Sequence, residues 1–488
     1  MLRPLPLALS DRISADGDVP LYVQVIRAIL RDIKRGRLTA GMYLPSSRQL
    51  ASELGVNRKT VVIAYEELIA QGWLASAGTR GTIVSPVVPP QAPKGPPTDH
   101  MPDGDVIPYY QFLPPPARAL ALPGGAGLKL DEGAPDGRLF PADTLARAYR
   151  NAVMDAASAN RLQYRDPLGS MRLRTAIAEM LQNQRALSVT AEEVCITRGS
   201  QNALFLATQI LLRPGDVVLV EALTYEPAVA AFRAAGARIV AVPLDAAGVD
   251  VDAVEEACRQ YRVRAVFLTP HHQFPTTVAL RPERRLRMLD LARQFGFALL
   301  EDDYDHEFHF DTQPLLPMAS YAPDQVIYIG SLSKLLLPAL RVGYIVAPRA
   351  VMPALAHAVS VADGMGNRIT EDATADLIVS GELQSHAYKV RKIYAERRQR
   401  FADRLRSHFG DAIDFTLPDG GLAFWVRFPQ LDLDAAELRA HEAGLRLASS
   451  RSFMARDDAP QGWRIGFASL NEAEADYAVA ALHRATGM

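Results

Sequence analysis

Twelve prolines fall within the 38 residues from Pro86 to Pro123, and neither helical nor alternating apolar periodicity runs through them. Proline lacks a backbone N–H, so this run cannot donate a regular hydrogen-bond ladder and reads as an extended, semi-rigid spacer. It divides the 488-residue chain into a head (1–85), a linker (86–123) and a body (124–488), with no internal repeat on either side. At roughly 100–200 residues per domain, this length corresponds to about three domains.

The formal net charge of -2 is unevenly distributed. Between Pro20 and Thr82 nine Lys or Arg face four Asp or Glu, a net of +5, which leaves about -7 for the remainder. A small basic module joined to a larger acidic one points to a polyanion partner for the head. Arg outnumbers Lys 46 to 7, so a lysine in this chain calls for a reason. With Cys195 and Cys258 the only cysteines, no disulfide framework is expected. The N-terminus shows no basic segment followed by an apolar run, and the longest uncharged apolar stretch, Ala203 to Leu212, is about half a membrane span. The expectation is a soluble, cytoplasmic protein without a membrane partner.

In the head, Leu21, Val25, Ile29 and Ile33 recur every four residues and make one apolar helical face, closed by Gly36. Pro45-Ser46-Ser47 opens a short helix carrying Leu50 and Leu54. Gly55-Val56-Asn57 is a tight turn that places Asn57 to cap a third helix, which packs Val61, Tyr65 and Leu68 inward and runs to Gly72. Trp73-Leu74-Ala75 and Thr82-Ile83-Val84 flank Gly78-Thr79-Arg80-Gly81 as a two-stranded wing. The whole is a winged helix-turn-helix. Asn57, Arg58, Lys59 and Thr60 would present the recognition helix to a major groove, Arg48 would suit a phosphate, and Arg80 in the wing a phosphate or the minor groove. The bland alternative is a protein-interaction domain with solvated basic residues. The head resembles the GntR-type winged helix domain over residues 20–85, most specifically in Leu44-Pro45-Ser46-Ser47-Arg48 and Asn57-Arg58-Lys59-Thr60-Val61. That resemblance implies a bacterial transcription factor that binds operator DNA as a dimer.

In the body, Val217–Val220, Arg264–Leu268, Phe297–Leu300 and Val326–Ile329 are near-continuous apolar strands separated by helical stretches. Such strands form a mostly parallel α/β sheet covered on both faces, with the ligand at the carboxyl ends of the strands. Lys334, inside Gly330-Ser331-Leu332-Ser333-Lys334-Leu335-Leu336-Leu337, follows one strand. An ammonium beside leucines is costly unless partnered or neutral, and a neutral lysine suits Schiff-base formation as arginine cannot. Glu301-Asp302-Asp303-Tyr304-Asp305 follows the Phe297–Leu300 strand; Asp302 and Tyr304 fit the pyridinium carboxylate and ring-oxygen hydroxyl of a pyridoxal phosphate site. Gly199, Ser200 and Gln201 precede an apolar helix expected to start near Asn202, and with Ser331, Ser333 and Arg341 they would cup a phosphate. A metal site using these acids with His306 and His309 is the competing reading; His-x-x-His without a further ligand pair is a poor signal, and no metal is expected.

With those residues in place the body resembles fold type I aminotransferases over roughly residues 125–485. The resemblance implies Lys334 as the internal-aldimine lysine, Asp302 as pyridinium partner with Asp303 as a one-step alternative, Tyr304 at the ring oxygen, and Arg341 on the phosphate. It further implies Tyr225 stacked on the ring, Tyr164 reaching the neighbouring subunit's phosphate, and Arg464 receiving an effector or substrate carboxylate. A GntR-type head on an aminotransferase-like body is the plan of the MocR family. It implies a head-to-tail, domain-swapped homodimer that binds pyridoxal phosphate and senses an amine, an amino acid or the cofactor itself. Thr277 and Arg165 stand where the family has glycine, Ala423 where many members have histidine, and Pro227 where some place an effector-binding arginine; these departures bear on the effector pocket more than on the cofactor cup. The second functional reading is a working aminotransferase with an accessory DNA-binding head.

Overall fold

Leu21–Lys34 forms the first helix, α1, because its four-residue apolar spacing makes a single stripe; Val25, Ile26, Ile29 and Ile33 are buried, whereas Leu21 is only half-buried. The computed structural model describes residues 13, 19–87, 111, 127–130, 133–311 and 314–488, so most of the proline-rich run lies outside the described residues. The chain divides into two compact units within that run, Met1–Pro114 and Pro115–Met488.

In the first unit, α2 (Ser47–Leu54) starts at Ser46, whose hydroxyl accepts from Gln49 N, and stops at Gly55 with φ +64°. That left-handed conformation is open to glycine at little cost and turns the chain toward α3 (Arg58–Ala70). Asn57 caps α3, its side chain accepting from Lys59 N at 2.8 Å. Val61, Tyr65 and Leu68 face inward, and the Tyr65 hydroxyl donates to Pro45 O at 2.8 Å, tying α3 to the entrance of α2. α3 ends at Ala70, two residues short of the expected Gly72. Strands β1 (Leu74–Ser76) and β2 (Thr82–Val84) pair antiparallel around a single 3-10 turn at Gly78–Arg80, forming the wing.

The second unit is built on a seven-stranded sheet: β3 (Val194–Thr197), β4 (Val217–Glu221), β5 (Arg238–Val242), β6 (Val263–Leu268), β7 (Ala298–Asp303), β8 (Val326–Ser331) and β9 (Gly343–Val346). Their order is β3-β9-β8-β7-β6-β4-β5; β9 runs antiparallel to both neighbours and the other pairings are parallel. Alternate residues feed two cores. Leu219, Val266, Leu299 and Tyr328 pack with Leu173, Leu181 and Leu291 from α4 (Met171–Arg185) and α7 (Pro282–Phe295). Val218, Phe267, Leu300 and Ile329 pack with Leu204 and Phe232 from α5 (Ser200–Leu211) and α6 (Glu226–Ala234). Two expectations are corrected. β7 runs on through Asp303, so Asp302 and Asp303 lie on the strand, held by parallel pairing to Ile329 and Gly330. Helix α5 begins at Ser200, two residues before Asn202, because Gly199 at φ +79° turns the chain directly into it. A third core joins α8 (Glu382–Phe409), β10 (Ala423–Val426), β11 (Trp463–Gly466) and α9 (Glu472–Thr486) through Phe401, Phe424, Trp463, Ile465 and Leu482. Among the described residues no helix is long and apolar enough to cross a membrane.

Candidate cofactor site and nucleic-acid interface

The pleat of β7 decides which carboxylate enters the candidate site. Leu300 packs in one core and Leu299 in the other, so Asp302 follows Leu300 and Asp303 follows Leu299. Asp302 lines a cavity of about 150 Å³ together with Tyr304, Tyr225, Ser200, Ser331, Ser333, Lys334 and Arg341. Asp303 turns away; its Oδ2 accepts from the Tyr328 hydroxyl at 2.5 Å and lies 3.3 Å from Arg185 Nη1. Burial opposes its ionisation, but positive charge in its surroundings, the Arg185 guanidinium included, holds its carboxyl well below the usual range.

Lys334 is not enclosed by leucines. Leu332, Leu335 and Leu336 are buried in the core and pin the turn, in which Leu336 N donates to Leu332 O at 2.7 Å. Lys334 faces the cavity instead, and its Nζ donates to Gly133 O at 3.0 Å. The residues expected to hold a phosphate converge from two elements. Ser200 opens α5, whose first amides have no intrahelical acceptor, and the Arg341 guanidinium lies over Gly199, where an added Cβ would sit 3.2 Å from its carbon.

Other expected residues stand outside this cavity. Gln201 is exposed and lines a neighbouring, larger cavity that also touches Arg341. Tyr164 is 90% exposed and is not among the residues lining the cavity of its own chain. Arg464 is buried behind the wall: its Nη1 donates to Pro275 O at 2.8 Å, its Nη2 reaches the Tyr304 hydroxyl at 3.4 Å, and its guanidinium carbon lies 4.5 Å from the centre of the Phe274 ring. Tyr304 gives its own proton to His272 O at 2.9 Å. Thr269, Phe274, Ala134 and Pro338 also line the cavity and were missed from the sequence. Thr269 sits immediately after β6, where the strand-end rule applied; Ala134 comes from the start of the body, and no local pattern marks it.

The donor set fits pyridoxal phosphate. Asp302 Oδ1 is buried without a hydrogen-bond partner among the described residues, as is Ser333 Oγ. Burial, then Asp303 and Asp305, push the Asp302 carboxyl up to about 8, so its ionised form calls for a cationic N–H⁺ donor beside it. A primary amine, hydroxyls and a guanidinium at a helix N-terminus complete the requirements for an aldehyde and a phosphate.

On the head, Arg48, Asn57, Arg58, Lys59 and Arg80 are exposed and Thr60 is half-buried. Arg58 Nε donates to Ser47 Oγ at 3.4 Å, linking α3 to α2; among the described residues Arg48, Arg58, Lys59 and Arg80 have no ion-pair partner. The Asn57 oxygen is committed to its cap, which leaves its NH₂ as the group available to a base.

No metal was expected, because His306 and His309 showed no further ligand. The structure brings His271, from the loop after β6, beside Asp303 and His306. That neighbour was invisible from the spacing of the His-x-x-His pair.

Residues 127–482 match the model of the family described as aminotransferase class I and II, and residues 21–84 that of the bacterial regulatory proteins of the gntR family. The chain belongs to the aminotransferase class I and II family, whose members are typically pyridoxal phosphate-dependent, and it carries a gntR-type head. In that architecture it is a MocR-type transcriptional regulator with an aminotransferase-like domain. It is 29% identical over 459 residues to the probable rhizopine catabolism regulatory protein MocR of Rhizobium meliloti, covering 93% of this chain and 92% of that one. It is 28% identical over 473 residues to the pyridoxine biosynthesis transcriptional regulator PdxR of Corynebacterium glutamicum, covering 97% and 96%. Among solved structures it resembles LysN, the alpha-aminoadipate aminotransferase of Thermus thermophilus, complexed with N-(5'-phosphopyridoxyl)-L-leucine. The TM-score is 0.69 at 31% identity, covering 74% of this chain and 92% of that one.

Proposed function

We propose that this regulator binds pyridoxal phosphate in the Lys334 cavity and adjusts its grip on operator DNA when an amine, an amino acid or the cofactor itself arrives. The observation that carries this reading is the meeting of Lys334, Asp302 and Arg341 in one cavity of a chain that also bears an exposed basic recognition helix. When bound, the cofactor supplies an aldehyde for which the Lys334 amine and an effector amine compete. Asp302 would accept the pyridinium N–H. Ser200, Ser331, Ser333 and Arg341, with the α5 N-terminus, would hold the phosphate, and Tyr225, whose ring centre lies 5.1 Å from that of Phe274, would offer its face to the ring. Tyr164, exposed in its own chain, serves the partner subunit's site in a head-to-tail dimer. An amino-acid effector would take its carboxylate to Arg464, past Phe274; a simple amine would leave that guanidinium on Pro275 O. To regulate, this exchange must favour one arrangement of the dimer over another, and paired heads would then read paired half-sites.

The test is a titration of the full-length protein against the DNA upstream of its own gene, at defined salt, with and without pyridoxal phosphate and with scrambled DNA as control. Specific binding that shifts with the cofactor, or with an added amine in its presence, supports the reading. Absence of specific binding, together with amino-group transfer from amino acids to a keto acid, would overturn it in favour of an enzyme with an accessory head.

A further inference from the structure

We propose that His271, Asp303 and His306 form a binding site for a divalent transition metal of the zinc type, on the side of β7 opposite the Lys334 cavity. One ligand atom from each of the three lies within 4.8 Å of the others, and their relative exposures are 3%, 1% and 7%. This inference is independent of the cofactor reading.

The tautomer of His271 carries the argument. Its Nε2 is hydrogen-bonded to Leu315 O, which can only accept, so Nε2 is the N–H, and in the neutral ring Nδ1 presents a lone pair. That lone pair faces Asp303 Oδ1, another acceptor, at 3.4 Å. Neither atom has a hydrogen-bond partner among the described residues, and the same is true of His306 Nδ1, 3.0 Å from Asp303 Oδ2. Two buried acceptors facing each other repel unless a cation lies between them, either a proton on Nδ1 or a metal ion. With zinc–nitrogen and zinc–oxygen bonds of about 2.0–2.1 Å, tetrahedral ligands stand about 3.3–3.4 Å apart; His271 Nδ1 and Asp303 Oδ1 have that separation, while the 4.8 Å limit on the three atoms means the rings must close in on the ion.

The surroundings match a metal centre. A histidine ligand commonly donates its other N–H to a carbonyl, as His271 does to Leu315 O, and a carboxylate ligand is itself hydrogen-bonded, as Asp303 is by Tyr328. Arg185 lies on the Oδ2 side and is also paired with Glu307, which leaves Oδ1 open to a cation. The His309 ring, with Nε2 unpartnered, lies 5.7 Å from that of His306 and is the nearest candidate for a fourth ligand. Two imidazoles and one carboxylate favour zinc over magnesium or calcium, which prefer all-oxygen shells.

The experiment uses tag-free full-length protein, stripped with a chelator and titrated with Zn²⁺ alone by calorimetry, with bound metal per chain measured after gel filtration. One Zn²⁺ per chain is expected. His271→Ala and His306→Ala should each lower its affinity by more than about 100-fold, while His357→Ala, at an exposed position outside the cluster, leaves it unchanged. If the alanine variants do not fold, His306→Gln and the visible absorbance of Co²⁺ added to the unsubstituted protein decide instead. A strong tetrahedral Co²⁺ spectrum supports the site. Absence of stoichiometric Zn²⁺, binding undiminished in the cluster variants, or absence of a tetrahedral Co²⁺ spectrum would overturn it.

Discussion

Asp302 and Asp303 are adjacent in the chain and opposed in space, one in the cofactor cavity and the other in a buried network with Arg185 and Tyr328. Asp302→Asn is expected to lower pyridoxal phosphate affinity by about 10–100-fold, the worth of one charge-assisted hydrogen bond of 1.5–3 kcal/mol; equilibrium dialysis of the cofactor measures it. Glu221, at the end of β4, is buried, and burial pushes its carboxyl up to about 8 despite the Gln273 amide donating at 3.2 Å. The folded state therefore keeps a proton that the unfolded chain releases near its ordinary carboxylate pKa. Stability should fall as pH rises between about 5 and 8, by about 1.4 kcal/mol per pH unit from this group. Urea midpoints across that window should decline, and Glu221→Gln should flatten the decline. Thr277, where the resembling family has glycine, is held at φ +64°, a conformation costly for a β-branched residue. Thr277→Gly is expected to stabilise the body by about 0.5–1 kcal/mol, the left-handed penalty less the entropy cost of glycine, and urea unfolding would show it.

At the scale of elements, both candidate sites are built on helix starts. The α5 start is made tight by Gly199 and Gly343, since a Cβ on Gly343 would meet Gly199 backbone at 2.7 Å; the phosphate-side loop is therefore pressed against β9. In the head, the caps at Ser46 and Asn57 and the Tyr65 hydroxyl on Pro45 O fix α2 and α3 relative to each other, so Arg58 and Lys59 project from a rigid frame. Arg58→Ala is expected to weaken operator binding without lowering the unfolding midpoint of the head, and to reduce the slope of log affinity against log salt by about 1 if that guanidinium meets a phosphate. Gel-shift titrations over a range of salt concentrations measure both.

At the scale of the whole molecule, one chain carries a basic gntR-type head and the Lys334 cavity in two compact units. Their readouts separate cleanly. Lys334→Ala should abolish the absorbance band of pyridoxal phosphate held as a Schiff base, while Arg58→Ala leaves that band intact. An absorbance band unchanged in Lys334→Ala would remove this lysine from the site, and absorption spectroscopy of dialysed protein decides.

Much of this plan was legible from local signals, because caps, turns and strand patterns act over a few residues. The head's helices and wing and the central strands were readable from neighbours in the chain. Periodicity could say that Asp302 and Asp303 take opposite faces, but not which face holds the cavity; the packing of Leu299 and Leu300 into separate cores settled that. The leucines around Lys334 suggested a buried ammonium, whereas the fold sends them to the core and the lysine to the cavity. Phe274, Ala134 and the approach of His271 to Asp303 and His306 belong to tertiary structure alone. The sequence by itself determined which elements form and what chemistry their ends carry, since those depend on short-range sterics and hydrogen bonding. Only the packing of the sheet against its helices decided which side chains meet, since that depends on contacts between residues far apart in the chain.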